Sequence, residues 1–200
     1  MDQLEADGRF VRGRDGTVLS IGCFSECWDS ATRPKTIRLI QSLLAFDNWI
    51  QFATKREIRQ DDLLPIIESP DWRRQVVAYL SSATITQWVK FERGTTPPER
   101  RFKSFLACEA SGIRSCLYVK PVLPGVTILD AGLYGSLMRS HGIDAVVGDI
   151  FVPGGGSSEP SSPISQRLQV SEHADANSMR SALAEYGRVF ANSTAHLLQE

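Results

Sequence analysis

Short apolar runs alternate with amphipathic stretches along the first three quarters of the chain. Runs of four to eight mainly apolar residues, bounded by polar or turn-forming residues, are typical of buried strands. Five segments fit this pattern, namely Val18–Cys23, Trp49–Thr54, Gln75–Leu80, Ser115–Val122 and Ala145–Ile150. The segments between them are long enough for helices. Strands that alternate with helices over short connections predict an α/β fold with a mostly parallel sheet and flanking helices.

The intervening stretches carry helix signals. In the first of them, Ile37, Ile40, Leu43 and Leu44 have helical spacing. Acidic residues in a first turn, prolines at the first helical positions and a closing glycine mark the others. The predicted helices are Thr36–Phe46, Asp61–Glu68, Pro97–Ala110 and Asp130–Ser140, with one or two further helical pieces within Ser178–Leu198.

The domain organisation follows from composition. Residues 1–153 hold the alternating pattern and are predicted to form one βα domain. Residues 154–177 begin with a run of glycine, serine and proline, which predicts a flexible linker. Residues 178–200 are predicted to form a C-terminal helical segment. Because Gly154–Gly156 precede serine and proline rather than a helix, we interpret them as part of the linker and not as a phosphate-binding loop.

Charge and hydropathy narrow the functional classes. The 200 residues carry a formal net charge of −1, and 42% of them are hydrophobic. Both values are typical of a soluble globular domain. There is no broad basic excess, so nucleic-acid binding is not indicated, although a local basic patch is compatible with the sequence. No apolar run approaches the roughly 20 residues of a membrane helix. The acidic N-terminus has no signal-peptide pattern, so we expect a cytoplasmic location and no membrane partner.

Polar and turn-forming residues follow the predicted strands in a fixed order. The sites of such sheets lie at the carboxyl ends of the strands, so these residues are the candidates for chemistry. In chain order they are Thr54-Lys55, Arg59–Leu64, Ser81–Thr84, Glu92, Pro97, Arg100-Arg101, Ala110–Ile113 and Pro121–Gly125. This series, within Val18–Val152, resembles the later strands of radical S-adenosylmethionine (SAM) enzymes of the spore photoproduct lyase-like group.

The resemblance implies a partial (βα)₆ barrel and a set of SAM contacts. Lys55 would reach the methionine carboxylate, a task that suits a mobile point charge. Ser82, with Ser81 or Thr84 as alternates, would contact the methionyl or ribose end. Arg101 or Arg100 would pair with Glu92 and brace a strand end. Val122–Gly125 would pack against the adenine, which Val146–Gly148 would meet through backbone groups. The cofactor-binding candidates are therefore Lys55, Ser81, Ser82, Thr84, Glu92, Arg101, Val122, Gly125 and Val147.

Each candidate also has a purely structural interpretation. Lys55 can be an ordinary surface lysine at a strand end. The hydroxyls of Ser81, Ser82 and Thr84 can serve to satisfy backbone groups of a loop. Glu92 and its arginine partner can form a structural ion pair without any ligand.

The resemblance begins after the region that holds the family's cluster. The [4Fe–4S] cluster of these enzymes is bound by a C-x3-C-x2-C loop after the first barrel strand, and a later glycine–glycine–glutamate turn holds the SAM amino group. In the family, the cysteine loop and the glycine–glycine–glutamate turn both precede the region that this chain resembles. Cys23 and Cys27 share the cluster spacing, but serine occupies the third place at Ser30, and thiolates are the usual cluster ligands. Their loop corresponds to a later strand, so no residue is assigned to a metal.

Cys108 and Cys116 fall on a predicted helix and strand, where buried thiols without a ligand role are common.

Two functional hypotheses remain open. In the first, the chain supplies the SAM-binding C-terminal half-barrel of a radical SAM enzyme, and a separate polypeptide supplies the C-x3-C-x2-C half with the cluster. In the second, it is a non-catalytic or truncated remnant that acts as a binding or scaffold module. The first predicts an exposed apolar sheet edge at Val18–Ile21, and a closing strand within Met1–Thr17 would favour the second.

Overall fold

The computed structural model describes residues 2–22, 25–148 and 173–198. Its core element is a six-stranded sheet in which the strands lie in chain order and every described pair is parallel. The strands are β1 Leu19–Ile21, β2 Ile50–Thr54, β3 Val76–Ser82, β4 Arg114–Val119, β5 Ala145–Val147 and β6 Val189–Phe190. This arrangement confirms the predicted α/β class with a parallel sheet.

Helices connect and flank the strands. They are α1 Asp2–Glu5, α2 Arg33–Leu44, α3 Gln60–Ile67, α4 Trp88–Phe91, α5 Pro98–Arg101, α6 Ser104–Ala110, α7 Ala131–His141, α8 His173–Leu183 and α9 Ser193–Leu197. A 3₁₀ turn at Thr127–Asp130 leads into α7. Within the described residues, no helix has the length and hydropathy of a membrane span.

Local sequence signals explain where several helices begin and end. Pro34 lies in the first turn of α2, where a missing N–H costs nothing. At the start of α3, the Asp62 carboxylate accepts a hydrogen bond from the Arg59 N–H at 3.2 Å, as in a capping box. Helix α7 ends at Gly142, whose φ of 59° lies in the left-handed region. Glycine adopts that region without strain and is common after the last helical residue.

Two predicted elements differ from the structure. The single helix expected over Pro97–Ala110 is divided, because the chain turns at Phe102 and Lys103 before helix α6 starts. Arg101, Phe102, Ser104 and Phe105 are all buried around this turn.

The C-terminal region also differs in detail. Helix α8 begins at His173, five residues before the expected start, and a strand separates it from α9. Strand β6 has only two residues, too few for a hydrophobic alternation to identify it. Residues 154–172 of the predicted linker, and the end of the predicted fifth strand at Asp149 and Ile150, lie outside the described residues.

The chain forms two compact units, each discontinuous in sequence. Unit 1 comprises Met1–Ser81 and Thr95–Cys116, and unit 2 comprises Ser82–Gly94 and Leu117–Glu200. Each has its own apolar core. The core of unit 1 includes Trp28, Ile40, Leu44, Phe52, Leu63 and Ile66, and that of unit 2 includes Tyr134, Met138, Val146, Ala176, Met179 and Leu183. Trp28 stacks on Phe52 with ring centroids 4.6 Å apart, a favourable aromatic arrangement.

The N-terminal segment of unit 1 does not extend the sheet. Among residues 2–17 there is no strand, and the described part of β1 pairs with β2 alone. The buried Asn48 amide instead ties this segment down by donating to the Val11 and Thr17 carbonyls, both at 2.8 Å. Among the described residues, β1 therefore lies at the edge of the sheet. Its Leu19 is buried and its Ser20 is exposed.

Candidate functional site

In unit 1, the loop after β1 is fastened to the carboxyl end of β2 by the Glu26 carboxylate. One of its oxygens accepts the Thr54 hydroxyl at 2.6 Å and the Trp28 N–H at 2.8 Å. The other accepts the Lys55 N–H at 3.0 Å. The Lys55 side chain is half-buried. Glu26 therefore fixes the backbone from which the candidate lysine extends.

Further contacts hold the described part of this loop in place. The Thr54 hydroxyl also accepts the Arg56 N–H at 2.9 Å, and the Arg56 guanidinium pairs with Asp29 at 2.8 Å. Gly22, directly after β1, has a φ of 82°, and a Cβ there would lie 2.8 Å from the Cys27 sulfur. Glycine is therefore required at Gly22 both for its backbone conformation and for the close approach of Cys27.

Arg101 holds the carboxyl end of β3 in unit 1. Its side chain is fully buried and donates to the Ser81 carbonyl at 2.8 Å. It also donates to the Thr96 carbonyl at 2.8 Å and to the Thr95 hydroxyl at 2.7 Å. Guanidinium donors in a fixed fork can join several acceptors at once. Arg101 thus joins the end of β3 to residues Thr95 and Thr96, and its pairing with Glu92 stays a prediction.

In unit 2, Asp130 organises the turn after β3. Its carboxylate accepts the Thr84 hydroxyl at 2.6 Å, the Ile85 N–H at 2.7 Å, the Thr86 hydroxyl at 2.7 Å and the Thr86 N–H at 3.2 Å. Burial raises the pKa of Asp130, but these hydrogen bonds outweigh it and hold the pKa below its usual value, because they favour the charged form. A charged carboxylate is therefore built into this turn.

The other polar groups at the end of β3 are also bonded within unit 2. The Ser82 hydroxyl lies 2.9 Å from the Tyr134 hydroxyl, and both residues are fully buried. The Glu92 carboxylate accepts the Ala83 N–H at 2.9 Å. The Thr127 hydroxyl donates to the Ala83 carbonyl at 2.7 Å. The structure therefore brings Ser82, Thr84 and Glu92 together in one interior network.

The proposed adenine contacts also lie in unit 2. Val122 and Val147 are buried, whereas Gly125 is exposed. Two charged side chains of α8 bond to the backbone of these residues. Asp175 accepts the Gly125 N–H at 2.9 Å, and Arg180 donates to the Val147 carbonyl at 3.2 and 3.3 Å.

Exposure separates the nine candidates into two groups. Lys55 is partly exposed and Gly125 is exposed, and the other seven residues are buried. Sequence reasoning did not identify the residues that position them, which are Glu26, Asp130, Tyr134, Asp175 and Arg180. Asp130 begins a predicted helix, but its carboxylate bonds to the distant turn at Thr84 and Ile85 and to no N–H group of that helix, so a capping signal would not have found its role.

The described residues do not fit an iron–sulfur cluster. None of their histidine, cysteine and acidic side chains form a group of three or more that could hold a metal ion. Cys27 is buried, with its sulfur 3.6 Å from the Ala53 carbonyl, and Cys23 lies outside the described residues. Cys108 and Cys116 are buried and outside any disulfide, and burial raises the pKa of Cys108 to about 12. A thiol with that pKa is inert at neutral pH.

Comparison with known proteins gives a fold and no sequence family. No family model and no curated protein matches the chain. Among solved structures, spore photoproduct lyase in complex with a dinucleoside spore photoproduct has a TM-score of 0.62 at 11% identity, over 86% of this chain and 60% of that one. SuiB from Streptococcus suis, bound to S-adenosylmethionine, has a TM-score of 0.59 at 11% identity, over 88% of this chain and 39% of that one.

Both neighbours are radical SAM enzymes, so the chain has a radical SAM-like fold. The C140S variant of spore photoproduct lyase gives the same picture, with a TM-score of 0.62 at 10% identity. The chain spans between 39% and 60% of the length of these neighbours. At such identity the likeness establishes the fold and leaves the chemistry to the residues of this chain.

Proposed function

We propose that this chain is a radical SAM-like protein that binds S-adenosylmethionine at the carboxyl ends of its strands. The observation that carries the proposal is the placement of Lys55. Its backbone is fixed at the end of β2 by the Glu26 carboxylate, and its side chain is partly exposed. A cation at that point of a parallel sheet suits an anionic group of a small ligand.

In this proposal Lys55 binds the methionine carboxylate of SAM. Its ammonium is attached through a flexible four-carbon stem, so it can adjust to a ligand while Glu26 keeps the main chain in place. The Glu26 carboxylate uses its hydrogen bonds on Thr54, Trp28 and the Lys55 N–H. The lysine and the glutamate thus have separate tasks, ligand binding and positioning.

The buried candidates support the site without reaching the ligand. Arg101, Ser82 and Thr84 have fully buried side chains whose polar groups are bonded inside their own units. Removing them would alter the shape of the strand ends. In unit 2, the exposed turn at Gly125 would lie against the adenine, as the resemblance implies.

We further propose that a separate polypeptide supplies the cluster. The described residues of this chain lack a suitable ligand set, and β1 presents an unpaired strand edge among them. Edge strands carry unpaired N–H and C=O groups that readily accept another strand. The partner would carry the C-x3-C-x2-C motif, and radical chemistry at the bound SAM would require it.

Equilibrium titration tests SAM binding by the chain alone. Isothermal calorimetry should detect SAM binding to the wild type, and Lys55→Met should weaken it at least about tenfold, as expected for loss of a hydrogen-bonded charge pair. Lys35→Met is the matched control, because Lys35 is an exposed lysine on α2. Equal affinity in wild type and Lys55→Met would contradict the role of Lys55. The proposed function would be contradicted if SAM gave no heat of binding to the wild type and adenosine did not compete with it.

Anaerobic reconstitution tests the partner. The chain alone should retain no [4Fe–4S] absorption and should produce no 5′-deoxyadenosine from SAM under reducing conditions. Addition of a polypeptide with the C-x3-C-x2-C motif, co-purified with this chain, should restore both. A stable cluster on the chain alone would show that Cys23 and Cys27 act as ligands and would remove the need for a partner.

A further inference from the structure

Helix α8 uses two charged side chains on polar backbone groups at the carboxyl ends of the unit 2 strands. Arg180 donates through Nε and Nη2 to the Val147 carbonyl at 3.3 and 3.2 Å. Asp175 accepts the Gly125 N–H at 2.9 Å. The Val147 carbonyl is a hydrogen-bond acceptor and the Gly125 N–H is a donor, and both lie in the region proposed for the adenine.

The contact of Arg180 follows from the shortness of β6. Its two residues pair with Ala145 and Val146, so the ladder ends one residue before Val147. A strand carbonyl beyond the end of its ladder needs another partner, and Arg180 provides it. The bond therefore satisfies a group that would otherwise be available to a ligand.

The helix is anchored independently of these bonds. Ala176, Met179 and Leu183 are fully buried on one face of α8, at the spacing of a helix stripe. Arg180 is further oriented by the Asn177 amide oxygen at 2.8 Å. Asp175 and Arg180 are themselves only half-buried. Their side chains can therefore exchange partners while the helix stays packed through its apolar face.

We propose that Asp175 and Arg180 form a latch that lowers the affinity of unit 2 for adenine nucleosides such as SAM. This inference rests on the proposed function, because it concerns the same ligand. To bind there, the adenine base must displace Arg180 from the Val147 carbonyl and Asp175 from the Gly125 N–H. Each exchange replaces a hydrogen bond to a charged group by one to a neutral base, which opposes binding. The latch thereby raises the SAM concentration at which the site is occupied.

The test compares latch variants by calorimetric titration with SAM. Arg180→Met keeps the apolar stem and removes both donors, and Asp175→Ala removes the acceptor. We expect each variant to bind SAM about threefold to tenfold more tightly than the wild type, the range that one net hydrogen bond allows. Ser178→Ala is the matched control, since Ser178 is an exposed residue of the same helix, and its affinity should equal that of the wild type.

Unchanged or weaker binding in a folded Asp175→Ala variant would overturn the latch. Circular dichroism shows whether each variant folds. If Arg180→Met does not fold, Asp175→Ala alone tests the latch, because the Asp175 side chain is half-buried and lies at the start of the helix. A wild type that binds SAM in a Lys55-dependent manner, with latch variants of equal affinity, would refute the latch alone. Absence of SAM binding in the wild type and in every variant would refute both the latch and the proposed function.

Discussion

The two units treat the polar groups at their strand ends differently. In unit 1, Glu26 and Lys55 are only partly buried, and the carboxylate accepts the Lys55 N–H. In unit 2, Ser82, Thr84, Tyr134 and Asp130 are fully buried and bonded to one another or to the adjacent turn. A half-buried group can still exchange water for a ligand, whereas a buried and satisfied group serves as scaffold. This contrast is why the proposed function gives Lys55 a ligand-contacting role and gives Ser82 and Thr84 a supporting one.

The largest effect is expected at Asp130. Asp130→Ala would leave the buried Thr84 hydroxyl and the N–H groups of Ile85 and Thr86 without their acceptor. We expect the free energy of unfolding, measured by urea denaturation, to fall by about 3 kcal/mol, because several polar groups lose their partner at once. Asp15 is the control, since its side chain is exposed. Asp15→Ala should change stability by less than about 0.5 kcal/mol. A loss as small as that at Asp130 would mean that the turn is not a scaffold.

Close packing within unit 2 gives a second prediction. A Cβ at Gly135 of α7 would lie 2.5 Å from the Tyr186 ring, whereas one at Gly132 of the same helix would meet nothing within 4 Å. Gly135→Ala should therefore destabilise the protein by about 1–2 kcal/mol through overpacking. Gly132→Ala should stabilise it by up to about 1 kcal/mol through helix propensity. Thermal unfolding of the pair measures both, and a shared sign would contradict the packing of Tyr186 on α7.

Glu26 should show the smaller cost typical of a partly exposed group. Glu26→Ala removes three hydrogen bonds, one fewer than at Asp130, and water can enter the space that the partly exposed Glu26 side chain vacates. We expect a loss of about 1 kcal/mol in unfolding free energy, clearly less than at Asp130. SAM affinity should fall as well, because the Lys55 backbone is no longer fixed. A stability loss equal to that of Asp130→Ala would remove the distinction between the two units.

The smallest effect concerns acid stability at the opposite, amino-terminal ends of β5 and β6. Burial raises the pKa of Asp144, but hydrogen bonds from His196 and Arg188 outweigh it and hold the pKa below the ordinary value of 3.8. The ionised carboxylate thus stabilises the folded state above that value, and this contribution is lost as pH falls through the lowered pKa. Since Arg188 is exposed, we expect at most about 1 kcal/mol.

Comparison of wild type and Asp144→Asn isolates this contribution. Between about pH 6 and about pH 3, the wild type should lose more unfolding free energy than the variant, and urea denaturation at each pH measures the difference. Parallel pH profiles would show that Asp144 has the same pKa in the folded and unfolded protein.

Hydrophobic periodicity predicted the parallel sheet because β2 and β3 are long enough to show their apolar runs. It did not predict β6, whose two residues carry no pattern. Lys55, Ser82 and Gly125, which the sequence places at predicted strand ends, lie directly after β2, at the last residue of β3 and after β4 in the structure. Exposure could not be predicted in the same way, because the contacts of the buried Thr84 side chain are with Asp130, a partner distant in sequence. Likewise, the contacts of α8 with the strand ends depend on where that helix packs, which no local motif indicates.

Hydrogen–deuterium exchange with and without SAM tests whether SAM binds at the carboxyl ends of the strands. SAM addition should slow exchange in peptides that cover Thr54–Glu57 and Leu123–Thr127. Peptides at the amino ends, such as Val11–Thr17 and Ile143–Ala145, should exchange at unchanged rates. Protection confined to the amino ends, or no protection at saturating SAM, would contradict the claim.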